Sequence, residues 1–153
     1  MKIIIVVVYD LSSMSSIRAK AICMVERDGK FLLIDGYDSV KKQRFFVPPG
    51  GGVEFGEQSR NTIVREIMEE LEQEIINLKL LGVLENIFTQ EGIAQHEIVF
   101  VWRADFVDEN AYALSEMIGH EEDKTYRAIW ISQDELKKSD SPPLYPDGLA
   151  KLL

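Results

Sequence analysis

Three glutamates, Glu66, Glu69 and Glu70, stand three and four residues apart in the stretch Gly51 to Gln73, GGVEFGEQSRNTIVREIMEELEQ. On a helix that spacing puts them on one face. Like charges so placed destabilise a helix by roughly a few tenths of a kcal/mol per pair. The only base within the cluster is Arg65, on its flank. A hard divalent cation would relieve the repulsion, and Mg2+ takes oxygen ligands and commonly bridges to phosphate. An isolated E-x-x-E-E face is more often simply solvated, so the neighbouring residues decide.

Those neighbours divide into a turn and a helix. Pro48-Pro49-Gly50-Gly51-Gly52 enforces an irregular turn, because proline fixes φ and glycine permits positive φ. Behind it the spacing predicts a helix with Ser59 as N-cap. Val64, Ile67, Met68 and Leu71 fall at i, i+3, i+4 and i+7, which marks one buried stripe. The carboxylate face is expected roughly opposite that stripe.

Taken together the residues fit G-x5-E-x7-R-E-U-x-E-E, with U aliphatic, as Gly51, Glu57, Arg65, Glu66, Ile67, Glu69 and Glu70. This closely resembles the signature of the Nudix hydrolases. The resemblance implies cleavage of a nucleoside diphosphate linked to another group, with Mg2+ or Mn2+ as cofactor. It implies Glu69 and Glu70 as metal ligands, Glu66 as ligand or base, and the Gly50 carbonyl as a further ligand. Glu57 and Arg65 resemble the pair that orients the helix against the loop, and Phe46 resembles the aromatic residue before the glycines. A late-loop carboxylate often joins the site in this family. Glu121 and Glu122 are the candidates, against the blander account of a solvated acidic loop.

Two departures matter. The usual signature ends E-E-x-G-U, whereas Glu72 and Gln73 stand here. A glycine there would end the helix, so a longer or differently capped helix is expected. Downstream, Ile87-Phe88-Thr89-Gln90 lacks the Pro that resemblance links to ADP-ribose hydrolases and the Tyr linked to diadenosine polyphosphate hydrolases. Rings that could stack on a base include Tyr37, Phe46, Phe88 and Tyr126, each more often core than contact. Lys41, Lys42 and Arg44 could meet a terminal phosphate, although keeping a loop soluble is the commoner role. His96 and His120 read as strand-end or loop residues, and of the two His120 alone stays a weak candidate for a base or phosphate contact.

Composition sets the frame. The chain has 153 residues, enough for one domain with a real core, and 46% are hydrophobic. A net charge of −9 argues against a nucleic-acid polymer as partner, whereas a small nucleotide substrate is compatible if cations supply positive charge locally. The single cysteine, Cys23, excludes an internal disulfide and reads as a buried thiol. Met1 to Tyr9, MKIIIVVVY, is too short to span a bilayer and short for a signal segment. It is expected as a strand pairing with the domain's own sheet or with a second copy in a homodimer. The expected protein is cytoplasmic, with no membrane partner.

Coarse patterning supplies the scaffold. Strands are expected over Ile17 to Glu26 and Phe31 to Asp35, joined at Asp28-Gly29. Gly36 to Arg44 reads as a polar loop. Leu78 to Asn86 reads as a strand with a bulge at Gly82, and Glu97 to Phe106 as the strongest strand. Val107 to Thr125 reads as an acidic loop with a helical turn at Tyr112 to Met117. Tyr126 to Ser132 reads as a strand and Ser132 to Glu135 as a capping box. Pro146 is expected at N1 of a closing helical turn over Gly148 to Leu153. The order implies one α+β domain, 1–153, with residues 1–16 an N-terminal strand and linker. A mixed sheet flanked by helices is expected, and the resemblance sharpens it to an α/β/α sandwich. The main alternative is a catalytically silent module of that fold that binds nucleotides or regulates. A purely structural protein would leave the glycines, Glu57 and Arg65 as coincidence.

Overall fold

The computed structural model describes residues 16–153, so the strand expected over Met1 to Tyr9 lies outside the described residues. The chain enters along β1 (Ile17–Met24), forms a short β2 (Glu26–Arg27) and turns at Asp28-Gly29, both at positive φ, into β3 (Lys30–Asp38). β4 (Gln43–Val47) returns antiparallel along β3, and β5 (Gly50–Gly52) crosses to β1. The segment expected as a loop over Gly36 to Arg44 is therefore mostly strand. Its turn is held by Asp38, whose buried carboxylate accepts from the backbone N–H groups of Lys41 and Glu91.

The helix α1 (Ser59–Leu71) follows, then β6 (Ile75–Gln90) and β7 (Ile93–Phe106), a long hairpin turning at Glu91-Gly92. The expected irregularity at Gly82 is present as a register shift between Leu80 and Gly82. Beyond a 3-10 turn at Glu109–Ala113 come β8 (Glu116–Glu121) and β9 (Lys124–Ser132). The acidic segment is thus half hairpin. On β8 only Met117 and Gly119 are buried, an alternation that the surrounding charges mask in the sequence. Ser132 caps α2 (Gln133–Leu136) by accepting from the Glu135 N–H at 3.1 Å. The closing turn is 3-10, Leu149–Leu152, and begins after Gly148 rather than at Pro146.

Two sheets result. One has the order β5-β1-β7-β6, with β1 and β7 parallel and the other pairs antiparallel. The other runs β2-β3-β9-β8, with β4 also on β3. They meet where the Leu32 N–H donates to the Val25 carbonyl at 3.0 Å. Alternation along β1 then builds two cores. Ala21, Cys23 and Val25 face α1, with Leu32, Ala128 and Trp130 of the second sheet beside Ile63 and Ile67. Ile22 and Met24 face the other way, toward Val99, Val101 and Leu149, with Leu136 and Leu152 packed outside. The expected α/β/α layering is present, with α1 on one side and only α2 and the C-terminal turn on the other. Cys23 is fully buried, and burial pushes its thiol up to about 12, so it is an inert core group. Among the described residues no helix is long and apolar enough to cross a membrane.

Candidate active site

The turn before α1 is fixed by contacts that exclude side chains. Gly50 has φ +147, and a Cβ there would lie 2.1 Å from the Ala21 carbonyl oxygen. A Cβ on Gly51 would lie 2.3 Å from Cδ of Glu66. The Gly51 backbone therefore occupies the place where the Glu66 carboxylate comes closest to the loop. Gln58, not Ser59, is the N-cap, and its carbonyl accepts from the N–H groups of Asn61 and Thr62. Ser59 is the first helical residue, and the Trp102 indole N–H donates to its hydroxyl at 3.3 Å.

α1 is rotated relative to the expected stripe. It buries Thr62, Ile63, Ile67, Glu70 and Leu71, while Val64 and Met68 are 40% and 41% exposed. The carboxylates do not lie opposite the core. Glu70 lies within the buried arc at 4% exposure, Glu66 is largely covered, and Glu69 points outward. The cause is that polar partners claim the inward positions.

Arg65 organises the first of these. Its Nε donates to Glu57 Oε1 and its Nη2 to Glu57 Oε2, both at 2.9 Å. Nη1 donates to Glu66 Oε1 at 2.7 Å and to Glu69 Oε2 at 3.2 Å, and Nη2 also reaches the Gly52 carbonyl. The planar fork thus ties loop to helix in two places. Thr62 Oγ donates to Glu57 at 2.7 Å. Arg65 first, and Thr62 next, hold the Glu57 carboxyl at about 2, well below the usual carboxylate range.

Glu70 has the opposite environment. Burial pushes its carboxyl up to about 7, against the Tyr126 hydroxyl, which donates to Oε2 at 2.6 Å. Glu121 and Glu66 add to the rise, and Lys20 opposes it. Tyr126 can lie across β8 because residue 119 is glycine, where a Cβ would meet its ring at 2.1 Å. Glu70 is thus a buried carboxylate whose neighbours include further acids, Glu66 on α1 and Glu121 on β8.

The donor set suits a hard divalent cation: carboxylate and carbonyl oxygens, with surplus negative charge. Yet no three His, Cys, Asp or Glu side chains among the described residues converge into a ready cage. Arg65 holds Glu66 and Glu69, and Tyr126 holds Glu70, so rotation of these side chains is required to close one. The helix ends with Glu72 in the left-handed region at φ 55, its N–H donating to the Met68 carbonyl at 3.1 Å. Of the longer or differently capped helix expected, the second is found: Glu72 itself adopts the conformation that glycine would take more easily.

Beside this group opens a cleft of about 670 Å³ between the two sheets, lined in part by Gly50, Tyr126, Glu121 and Lys20. Phe88 and Tyr126 line it, Phe46 is core, and Tyr37 is exposed outside it. Glu121 lines it and Glu122 does not. Lys41 reaches the Thr89 carbonyl, Arg44 pairs with Asp35 at 2.8 Å, and His96 meets Glu85 at 2.9 Å. Lys20 also lines the cleft, a position that the spacing around the glutamates does not point to. Its signal was the alternation Arg18-Ala19-Lys20-Ala21, which puts two bases on one face of a strand.

Comparison with known proteins bears on this arrangement. A model of the NUDIX domain matches residues 16–151. The uncharacterized Nudix hydrolase YvcI of Bacillus subtilis (strain 168) is 33% identical over 84 residues, 54% of this chain and 51% of that protein. The chain thus aligns with about half the length of this curated relative. The crystal structure of a MutT NUDIX hydrolase from Burkholderia pseudomallei superposes with a TM-score of 0.67 at 26% identity, covering 90% of this chain and 97% of that one. The solution structure of the E. coli ORF135 protein gives a TM-score of 0.59 at 26% identity, covering 94% and 90%. With its signature helix, its two sheets and a family match over nearly all the described residues, the chain belongs to the NUDIX domain family.

Proposed function

We propose that the protein is a divalent-cation-dependent hydrolase of the pyrophosphate bond in a nucleoside diphosphate derivative: a nucleoside triphosphate, nucleotide sugar or dinucleotide. The observation that carries this is the buried carboxylate of Glu70, one turn of α1 from Glu66 and met by the Tyr126 hydroxyl, beside an open cleft. Burying uncompensated carboxylates costs stability unless a cation joins them. Glu66, Glu69 and Glu70 with the Gly50 carbonyl would hold Mg2+ or Mn2+. Such an ion, when bound, supplies Lewis acidity toward a phosphoryl oxygen and lowers the pKa of water.

The chain's own groups have the remaining roles. Arg65 and Glu57 fix α1 against the glycine turn, so that carboxylates and carbonyl keep one relative position. The Tyr126 hydroxyl orients Glu70 by donating to one oxygen and leaving the other available. Glu66 is ligand or base, and Lys20 supplies a permanent positive charge toward substrate phosphates. Incubating the purified protein with a nucleotide panel and Mg2+ tests the reading. Turnover that Glu69→Gln or Glu70→Gln reduces at least about 100-fold is expected. No product from any nucleotide, or unchanged turnover in both variants, contradicts it.

One observation favours a silent nucleotide-binding module instead: Arg65 already engages two of the three carboxylates. Calorimetry separates the readings, since a silent module would bind nucleotide without Mg2+ and without product.

A further inference from the structure

The outer half of the first sheet is bare on the side that carries α1. That helix packs mainly on β1, β5 and β8, leaving β6 and β7 largely to themselves. Strand pairing sets Ile17, His96 and Ile87 in one cross-strand row and Ala21, Phe100 and Val83 in another. Ala21 faces α1, and Ile17, four residues earlier on the same strand, shares its face. Leu80, beside Trp102, continues the surface. Ile17, Ile87, Val83 and Leu80 are 63%, 71%, 49% and 43% exposed. Together they leave on the order of 400 Å² of apolar surface open, a size at which such patches mark docking sites. The sheet is open in its own plane as well. Among the described residues nothing pairs with the outer side of β6, and an unpaired edge beside apolar side chains is a template for another strand.

The chain carries a segment suited to that edge. Residues 1–15 lead into β1 at the corner of the bare surface, one residue before Ser16 and two before the exposed Ile17. Residues 3–8, IIIVVV, are all β-branched, which favours a strand. They show no polar alternation, as a strand with apolar neighbours on both faces requires. β6 offers such neighbours: Val83 and Ile87 on one face, Leu84 and Phe88 on the other. Residues 10–16 form the tether, and at about 3.3 Å per residue they span up to ~23 Å. The outer side of β6 is three strand spacings from β1, about 14 Å. The tether therefore reaches only if the segment ends level with the start of β1. It then runs antiparallel to β1 and parallel to β6, because β7 is parallel to β1 and antiparallel to β6.

A second copy of the chain fits the surface less well. The open patch is about half of the roughly 800 Å² per partner in a standard stable interface. Two copies at −9 each repel, whereas residues 1–9 carry Lys2 and no acid. A short flexible tether holds the segment at an effective concentration of roughly millimolar, far above a second copy in dilute solution. We infer that residues 3–8 add to β6 as an outer strand of the same molecule, and that the tether lays Leu11 and Met14 over Ile17 and Ile87. This docking is independent of the reaction.

Amide hydrogen exchange on the full chain, with molecular mass by light scattering in the same buffer, tests it. The wild type should be a monomer in which residues 3–8 and the outward amides of residues 83–88 exchange at least about 100-fold more slowly than an unstructured peptide. Val6→Asp, and separately deletion of residues 2–15, should each speed exchange over residues 83–88 at least about tenfold while β1 and β7 stay protected. Val6→Asp keeps the tether and serves if the deletion does not fold. Exchange of residues 3–8 at the peptide rate in the wild type, or residues 83–88 unchanged in the variants, would overturn the inference. Protection that appears only as the mass doubles with concentration would overturn it too, and would place a second copy on the edge.

Discussion

Replacing Gly51 by alanine adds one methyl group to the site and tests whether the loop and α1 are matched to each other. The added Cβ would sit 2.3 Å from Cδ of Glu66 and 2.4 Å from each of its oxygens. An ordinary carbon contact is about 3.5–4.0 Å, so the carboxylate has to retreat by about 1 Å or more. It can do so cheaply, being the far end of a flexible side chain, and Gly51 is not at positive φ. Stability is therefore expected to change by less than about 1 kcal/mol. A misplacement of about 1 Å in a reacting array can cost about 100-fold in rate. The expected result is a kcat/KM lowered 10- to 100-fold, a raised Mg2+ requirement and a melting temperature near that of the wild type. Gly50→Ala is the control, since its Cβ would meet backbone at 2.1 Å and the fold itself should fail. Activity of Gly51→Ala within about threefold of the wild type at unchanged Mg2+ dependence would refute the placement of Glu66 in the site.

Tyr126→Phe removes the hydroxyl that donates to Glu70 and should weaken Mg2+ binding about 10- to 100-fold by calorimetry, with little change in secondary structure by circular dichroism. In the metal-free protein Glu70 titrates near 7 instead of 4.5, so the folded state binds the extra proton. Stability should therefore fall as pH rises from about 5 to 8. That shift is worth at most ~3 kcal/mol, and solvent screening at the cleft leaves ~1–2. Glu57 acts in a separate window: its contribution is present above about 4.5 and is lost as pH falls toward 2. Added Mg2+ should restore the melting temperature at pH 8 more than at pH 5, as differential scanning calorimetry would read. Glu72→Gly should raise the melting temperature by about 1–3 °C, because the left-handed conformation costs a non-glycine residue ~1–2 kcal/mol and glycine's chain entropy returns part of it.

Much of the site was legible because its residues are neighbours in sequence. Glu57, Arg65, Glu66 and the glycine turn lie within one short stretch, and local spacing carries their relation. The apolar pattern gives the wrong phase for α1, for a physical reason. Val64 and Met68 are apolar but exposed, while Thr62 and Glu70 are polar but buried. An apolar count cannot register hydrogen-bond partners contributed by Tyr126 from β9 or space left by Gly51. The same limit hides pairs that form across strands. Arg18 and Glu97 are 79 residues apart and meet only through strand pairing. The hairpin of β8 and β9 was concealed by charge: its inward positions are few, and one is a glycine whose purpose is to admit the Tyr126 ring.

The account rests on cation binding by the carboxylates of α1. Crystals grown with Mn2+ and a non-hydrolysable nucleotide, measured at a wavelength where manganese scatters anomalously, address it directly. The account predicts an anomalous peak within coordination distance of Glu66 and Glu70 and of the Gly50 carbonyl, with Arg65 released from Glu66 or Glu69. No peak there at saturating Mn2+, with Arg65 still bonded to both carboxylates, would contradict it.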